Sequence, residues 1–199
     1  MERDIIFSVL ICSLNSRADK LKALCEKLHS QITSISPMHP VEILVSADNG
    51  ELSIGRKRNK LIDKARGQYI AFIDDDDDIS DNYIALIMKA LEKSPDCVGL
   101  RGKILYEGVF AEFRHSIQYQ GWYTSNDVFY RTPNHLNPIK KSKATQVPFN
   151  NSDFGEDQSY SHTIRRLLKT EVFVDEVIYF YTPAKRDQKT GAYLEQGST

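Results

Sequence analysis

The sequence predicts an α/β protein built on a mostly parallel sheet with helices on both faces. Two observations predict it. Short apolar runs alternate with amphipathic segments through the first half of the chain, the order of repeated β-α-β units. One of those runs, Tyr69 to Ile73, leads directly into five consecutive aspartates, Asp74 to Asp78. Ligand sites in open α/β sheets lie outside the carboxyl ends of strands.

Each element has its own signal. Ile5–Cys12 is a short apolar run, too short to span a membrane, and reads as a buried strand. Asn15 or Ser16 can cap a helix running to about Ile32, with Leu21, Leu24, Cys25 and Leu28 at helical spacing. Ser36-Pro37 and His39-Pro40 break the chain. Val41–Ala47 is a second strand, ended by the turn signal Asp48-Asn49-Gly50. Ser53 to Arg66 suits a helix with Ile54, Leu61, Ile62 and Ala65 inward, stopped by Gly67. Tyr69–Ile73 is the third strand, Asp81 to Lys93 the next helix and Cys97 to Leu105 the fourth strand. Residues 106–135 read as short strands and loops, and Asn134 to Asn151 as a polar stretch. Phe154 to Lys169 suits a helix, with Tyr160, Ile164, Leu167 and Leu168 on one side, and Val172 to Tyr181 a last strand.

Composition bounds the function. At 199 residues, with 41% hydrophobic and 27% charged residues, the chain suits one soluble domain with a sizeable core. A formal net charge of −1 gives no bulk electrostatic case for nucleic acid or anionic membrane. No segment reads as a signal peptide or a transmembrane span. Cys12, Cys25 and Cys97 lack metal-ligand spacing and read as reduced thiols, which points to a cytoplasmic protein.

The aspartate run carries the chemistry. Adjacent carboxylates repel, so packing them at a strand end costs stability unless a cation compensates. Hard divalent cations, Mg²⁺ or Mn²⁺, prefer oxygen ligands. One reading is a metal site that handles phosphates. The other is a solvated acidic turn, with Asp78 or Ser80 capping the next helix.

Four motifs in order resemble one family. The first strand leads into Cys12-Ser13-Leu14-Asn15-Ser16-Arg17, similar to a nucleotide-contacting loop. The second ends in Ala47-Asp48-Asn49-Gly50. Gly55-Arg56-Lys57-Arg58-Asn59 is followed by the run from Ala65 into the aspartates, and Gly155-Glu156-Asp157 supplies an acidic pair. Together they resemble the inverting glycosyltransferases of the GT-A fold, family 2 in particular, from Phe7 to about Tyr181. The resemblance implies a single GT-A-like domain over 1–199, with a nucleotide-binding half (1–104), an acceptor-side half (105–182) and a loose tail (183–199). Small stand-alone domains of this kind occur in phages and large DNA viruses, so it also admits a viral source.

The same resemblance assigns roles. It puts the Asp-x-Asp motif on Asp74 and Asp76 as metal ligands, with Asp76 first in line for Mn²⁺ or Mg²⁺, Asp74 nearer the ribose or the metal's water and Asp75 a further nucleotide contact; Asp75, Asp77 and Asp78 leave the register open by one or two positions. Asp48 is set to accept a hydrogen bond from the imide edge of uracil or thymine, unless it serves only the Asx turn of Asp-Asn-Gly. Arg58 matches the arginine that approaches base and diphosphate, with a solvated helix face as the alternative. Ser13 and Asn15 are further nucleotide contacts. Asp157, with Glu156 beside it, matches the catalytic base that takes the proton of the acceptor hydroxyl; the alternative is an acid favoured in a helix's first turn. Trp122 can stack on a sugar or pack structurally. His135 and His162 are candidate further metal ligands, and Lys185 and Arg186 candidate closers over the diphosphate. Thr182-Pro183-Ala184 stands where the family often has His-Pro, which leaves the third metal ligand open. The expected partners are a nucleotide-diphospho-sugar donor, UDP-linked first, and a glycan, protein or other hydroxyl acceptor. Two other classes compete: a sugar-phosphate nucleotidyltransferase, which lacks here a glycine-rich basic loop after the first strand, and a non-catalytic carbohydrate- or Ca²⁺-binding module.

Overall fold

A computed structural model describes residues 4–35, 40–106 and 109–182. The first half builds β1 (Phe7–Leu14), α1 (Ala18–Ser34), β2 (Val41–Asp48), α2 (Ile54–Lys64), β3 (Tyr69–Phe72), β4 (Asp78–Ile79), α3 (Tyr83–Leu91) and β5 (Cys97–Tyr106). The second half builds β6 (Val109–His115), β7 (Tyr123–Ser125), β8 (Val128–Arg131), β9 (Ile139–Lys140), α4 (Lys141–Ala144), α5 (Glu156–Ile164) and β10 (Glu171–Tyr181).

The strands form one mixed sheet, in the order β2-β1-β3-β9-β5-β6-β8-β7, with β10 pairing β5 and β4. β2 and β3 flank β1 in parallel register. β10 runs parallel to β5. The two-residue β9 is antiparallel to both β3 and β5, so it joins two strands that point the same way. The short strands expected over 106–135 extend the sheet beyond β5 through antiparallel hairpins and a parallel β6–β8 pair.

Period-two alternation assigns the faces. Phe7, Val9 and Ile11 of β1 join Leu24 and Leu28 of α1 and Ile84 and Ile87 of α3 in one core. Leu10 and Cys12 point the other way, toward Leu61 and Ile62 of α2 and Tyr160 and Ile164 of α5. Helices therefore cover both faces, as expected. No helix among the described residues is long and apolar enough to cross a membrane.

Local details depart from expectation. Neither Asn15 nor Ser16 caps a helix: residues Asn15–Arg17 form a 3₁₀ turn without a side-chain cap. The Asn15 amide instead donates to Asn49 Oδ1 at 2.9 Å, tying the ends of β1 and β2 together. The helix expected over 154–169 is shorter, because Gly155 enters it at φ +72° and the chain beyond Ile164 tightens into turns. Neither Asp78 nor Ser80 caps α3, whose N-cap is Asn82. The predicted tail and the breaks at 36–39 lie outside the described residues.

The polar stretch before α5 is a clamp. The Ser53 hydroxyl donates to Asn151 Oδ1 at 2.7 Å, and the Ile54 N–H donates to Asp153 Oδ1 at 2.9 Å. Asn59 exchanges two hydrogen bonds with the Phe149 backbone, each 2.9 Å. Gly55 is buried where the Asn150 carbonyl crosses it, and a Cβ there would collide with that oxygen. Gly55→Ala must push backbone aside, so it should destabilise the fold by about 1–3 kcal/mol, as overpacking does. Gly121→Ala, with nothing within 4 Å of the new methyl, should stay within about 0.5 kcal/mol of the parent. Urea denaturation midpoints check both; equal midpoints would show that the 149–153 segment yields freely.

Candidate active site

The carboxyl ends of β1 and β3 open into a cavity of about 690 Å³, within the range of small-molecule sites. Cys12 and Ser13 of β1, Lys57 and Arg58 of α2, and Asp74, Asp75 and Asp76 line one part. Gly155, Glu156 and Asp157 line another, with Phe113, His115 and Arg131 from β6 and β8.

The five aspartates divide their work. Asp77 is buried; it accepts hydrogen bonds from the Tyr179 hydroxyl at 2.7 Å and the Thr182 N–H at 2.9 Å. Burial, and then the Asp74 charge, push its carboxyl well above the ordinary range. Asp78 is exposed and pairs with Lys27 at 2.8 Å. These two fasten the loop to β10 and α1 and do not line the cavity. Asp75 is buried, accepting the Ser13 hydroxyl at 2.6 Å and Arg17 at 2.8 Å. Asp76 shares the same Arg17 nitrogen at 3.2 Å. Burial, and then the Asp74 and Asp75 charges, raise the Asp76 carboxyl although Arg17 opposes them. Asp74 lies 3.3 Å from both Arg58 Nη2 and His135 Nε2. Burial pushes its carboxyl up, but His135 and Arg58 outweigh that and hold it well below the ordinary value.

Three carboxylates of one loop thus offer hard oxygen donors to the cavity. Such a set fits a hard divalent cation held by one or two carboxylates, with phosphate and water oxygens completing the shell. Among the described residues, no group of three or more His, Cys, Asp or Glu side chains is arranged to hold a metal unaided.

Arg58 ties the two groups of lining residues together. It is 3% exposed. Its guanidinium donates to Glu156 Oε1 at 2.6 Å as well as facing Asp74. It lies 5.5 Å from the Phe72 ring centre and 5.3 Å from that of Phe149. The solvated helix face considered for Arg58 is therefore excluded. Glu156 is buried in this ion pair. Asp157 is half-buried on the cavity wall, and its carboxylate accepts the Gln158 N–H at 2.7 Å. The acidic pair is split: one acid is committed to structure and the next faces the cavity.

Other predicted residues scatter. The Asp48 carboxylate accepts from the Gly50 and Leu52 N–H groups, each at 3.0 Å, and pairs with Lys57. The Lys57 hydrogen bond, chiefly, holds its carboxyl below the ordinary value. Asp48 thus serves its Asx turn, while Gly50 and Leu52 line the cavity. Asn15 lies off the lining, bonded to Asn49. His135 reaches the cavity beside Asp74, but His162 is exposed on α5 away from it, because the inward face of that helix carries Tyr160, Ser161 and Ile164. Trp122 is structural on its polar edge: its Nε1–H faces Thr132 Oγ1 at 3.2 Å and Ser161 Oγ at 3.1 Å. Lys185 and Arg186 lie outside the described residues.

Three cavity cations escaped the sequence reading. Arg17 bridges Asp75 and Asp76. Lys57 is buried and also donates to the Ser13 carbonyl at 2.8 Å. Arg131 stacks on Trp122 at 4.6 Å. Arg17 and Lys57 stood inside motifs already quoted, so proximity to them was an available signal. Arg131 had none, since it sits in a stretch without a motif.

Known proteins extend the picture. The chain resembles S. aureus TarS 1–349 solved in complex with UDP-GlcNAc, at 14% identity and a TM-score of 0.65, over 96% of this chain and 62% of that one. The same protein in complex with UDP matches at 13% identity and a TM-score of 0.63, over 90% of this chain and 61% of that one. The chain thus spans less than two thirds of these TarS chains. No curated protein matches it in sequence. At such identities the likeness shows the fold, an α/β fold of the GT-A type. The sequence pattern of glycosyl transferase family 2 matches residues 9–170. With most of its length inside that match, the chain belongs to glycosyl transferase family 2.

Proposed function

We propose that this chain is a metal-dependent, inverting glycosyltransferase that moves a sugar from a uridine diphosphate donor to an acceptor hydroxyl. One observation carries the reading: Asp74, Asp75 and Asp76 and, from the second half of the chain, Asp157 line a single cavity, while Arg58 withholds Glu156. Family membership supports the reaction class. The fold likeness to TarS, solved with UDP-GlcNAc and with UDP, supports the donor class. In this reading residues 1–104 serve the donor and 105–182 the acceptor.

Mn²⁺ or Mg²⁺, held by Asp76 with Asp74 or Asp75, would neutralise charge on the leaving diphosphate without proton transfer. The protein's own residues do the rest. Ser13, Lys57 and the turn held by Asp48 wall the nucleotide end. Arg17 has the planar donor fork that suits phosphate oxygens. Asp157 accepts the acceptor's proton as the new bond to the anomeric carbon forms and the bond to the phosphate oxygen breaks. Attack from the face opposite the leaving group inverts the anomeric centre, and no covalent enzyme intermediate is needed.

Asp157→Asn keeps shape and removes the base. Turnover should fall by roughly 10²–10⁴, with UDP affinity and the urea midpoint little changed. Glu156→Gln should instead lower the midpoint, because it weakens the partner of a buried guanidinium. If Asp157→Asn kept normal transfer, the base would lie elsewhere. Product anomers read by proton NMR should be inverted, and retention would refute the mechanism.

The metal is tested by binding. UDP affinity measured by calorimetry with Mn²⁺ should drop on adding a chelator, and Asp76→Ala should reproduce the drop with the fold intact. Equal UDP affinity with and without chelator would sink the metal assignment. Asp77→Ala should behave differently, lowering stability through loss of the Tyr179 and Thr182 contacts. In a nucleotide panel UDP should bind more tightly than GDP or ADP, and a purine preference would overturn the donor reading.

A further inference from the structure

Four lysine and arginine side chains are among the residues that line the cavity, and three have carboxylate partners. Arg17 pairs with Asp75 and Asp76, Lys57 with Asp48, and Arg58 with Glu156 and Asp74. Arg131 has no carboxylate or hydrogen-bond partner for its guanidinium among the described residues. The contrast is electrostatic: carboxylates raise the Arg17 and Arg58 pKa values despite burial, whereas burial, chiefly, lowers that of Arg131.

The guanidinium is nevertheless held in place. It lies 4.6 Å from the Trp122 ring centre, and such stacking fixes a planar cation without using its donors. The indole is fixed in turn, its N–H facing the Thr132 and Ser161 hydroxyls. The charged and titratable groups whose fields reach Arg131 are Tyr181, Asp157 and His115. Asp157 is the acid assigned above to the acceptor's proton.

His115 is the neighbour of Arg131 across the sheet. It is 1% exposed, lines the cavity and stands opposite Arg131 across the parallel β6–β8 pair. Asn137 donates its amide to the Val98 carbonyl at 2.9 Å, so its oxygen is the acceptor that faces His115 Nδ1 at 3.1 Å. The proton therefore sits on Nδ1. Burial, and then Arg131, push the imidazole pKa down to about 3, so the ring stays neutral. Its Nε2 is left as a buried lone pair without a partner among the described residues. A neutral ring at this position brings no negative charge to Arg131.

We propose that Arg131, stacked on Trp122 and beside the neutral His115, forms a subsite for an oxyanion, a phosphate or carboxylate held by its guanidinium. Deepening the glycosyltransferase reading on which it rests, it makes the acceptor a polyol or sugar that carries an anionic group near the hydroxyl to be glycosylated. The same chemistry on the donor is a uronic acid.

Calorimetry on the full chain, saturated with UDP and Mn²⁺, separates these sources. Glycerol 3-phosphate is compared with glycerol, glucuronate with glucose, and, without UDP, UDP-glucuronate with UDP-glucose. The anionic member of a pair should bind more tightly, and Arg131→Gln should weaken it by about 10- to 100-fold, the scale of a lost charged hydrogen bond. Arg131→Lys should recover part of the loss. Exposed Arg56→Gln should leave the preference unchanged. A preference confined to the free phosphate or uronate assigns the subsite to the acceptor; one confined to the nucleotide sugars assigns it to the donor. No preference, or one that survives Arg131→Gln, overturns the proposal. Should UDP itself fail to bind, the donor reading fails, and the phosphate pair measured without UDP still decides whether the subsite exists.

Discussion

The rest of the site depends on one buried cation. Arg58 enters from α2, meets Asp74 at the end of β3 and Glu156 at the start of α5, and sits beside the rings of Phe72 and Phe149. Three elements distant in sequence converge on one guanidinium. Removing one partner of such a buried pair costs about 3–5 kcal/mol, because the other charge is left without compensation. The clamp from Ser53, Ile54 and Asn59 to the 149–153 segment holds the same geometry from outside. Between them they set where Asp157 stands.

Electrostatics decides the fate of each acid. Like charges crowded at a strand end would raise one another's pKa values, and only local cations prevent it. Asp74 has Arg58 and His135 and stays ionised, whereas Asp77, buried against the Tyr179 hydroxyl and the Thr182 N–H, faces no cation among the described residues and rises. Among the described residues Asp76 has only a share of Arg17 as a cation partner, and it lines the cavity with a raised carboxyl. A run of identical residues thus yields anchors and candidate ligands through differences in surroundings alone.

The second half supplies what the first lacks. β9 fits between β3 and β5, and β10 pairs with β5 and with the end of the aspartate loop. Tyr179 of β10 accepts the Asp74 N–H at 3.2 Å and donates to Asp77, so the second half of the chain shapes the loop that carries the aspartates. Arg131 and His115, on neighbouring strands of the same half, also line the cavity, and the Arg131 guanidinium has no carboxylate partner among the described residues.

By itself the sequence determined the fold class, the family and most of the acidic constellation. Alternating apolar runs specify strands and helices because burial follows local period, and the motifs at strand ends need only that order. Hence β1, β2, β3 and β5 and the helices between them were legible to within a few residues. So were Ser13, Asp74–Asp76, His135 and Asp157 as residues of one cavity. The tertiary structure alone decided which aspartates turn inward, that Glu156 belongs to Arg58, that Asp48 is engaged by Lys57 and its own turn, and that His162 faces away. It also brought Arg17 and Arg131 to the cavity. Those outcomes rest on contacts between residues far apart in the chain, and charge pairing and burial have no local pattern from which to read them.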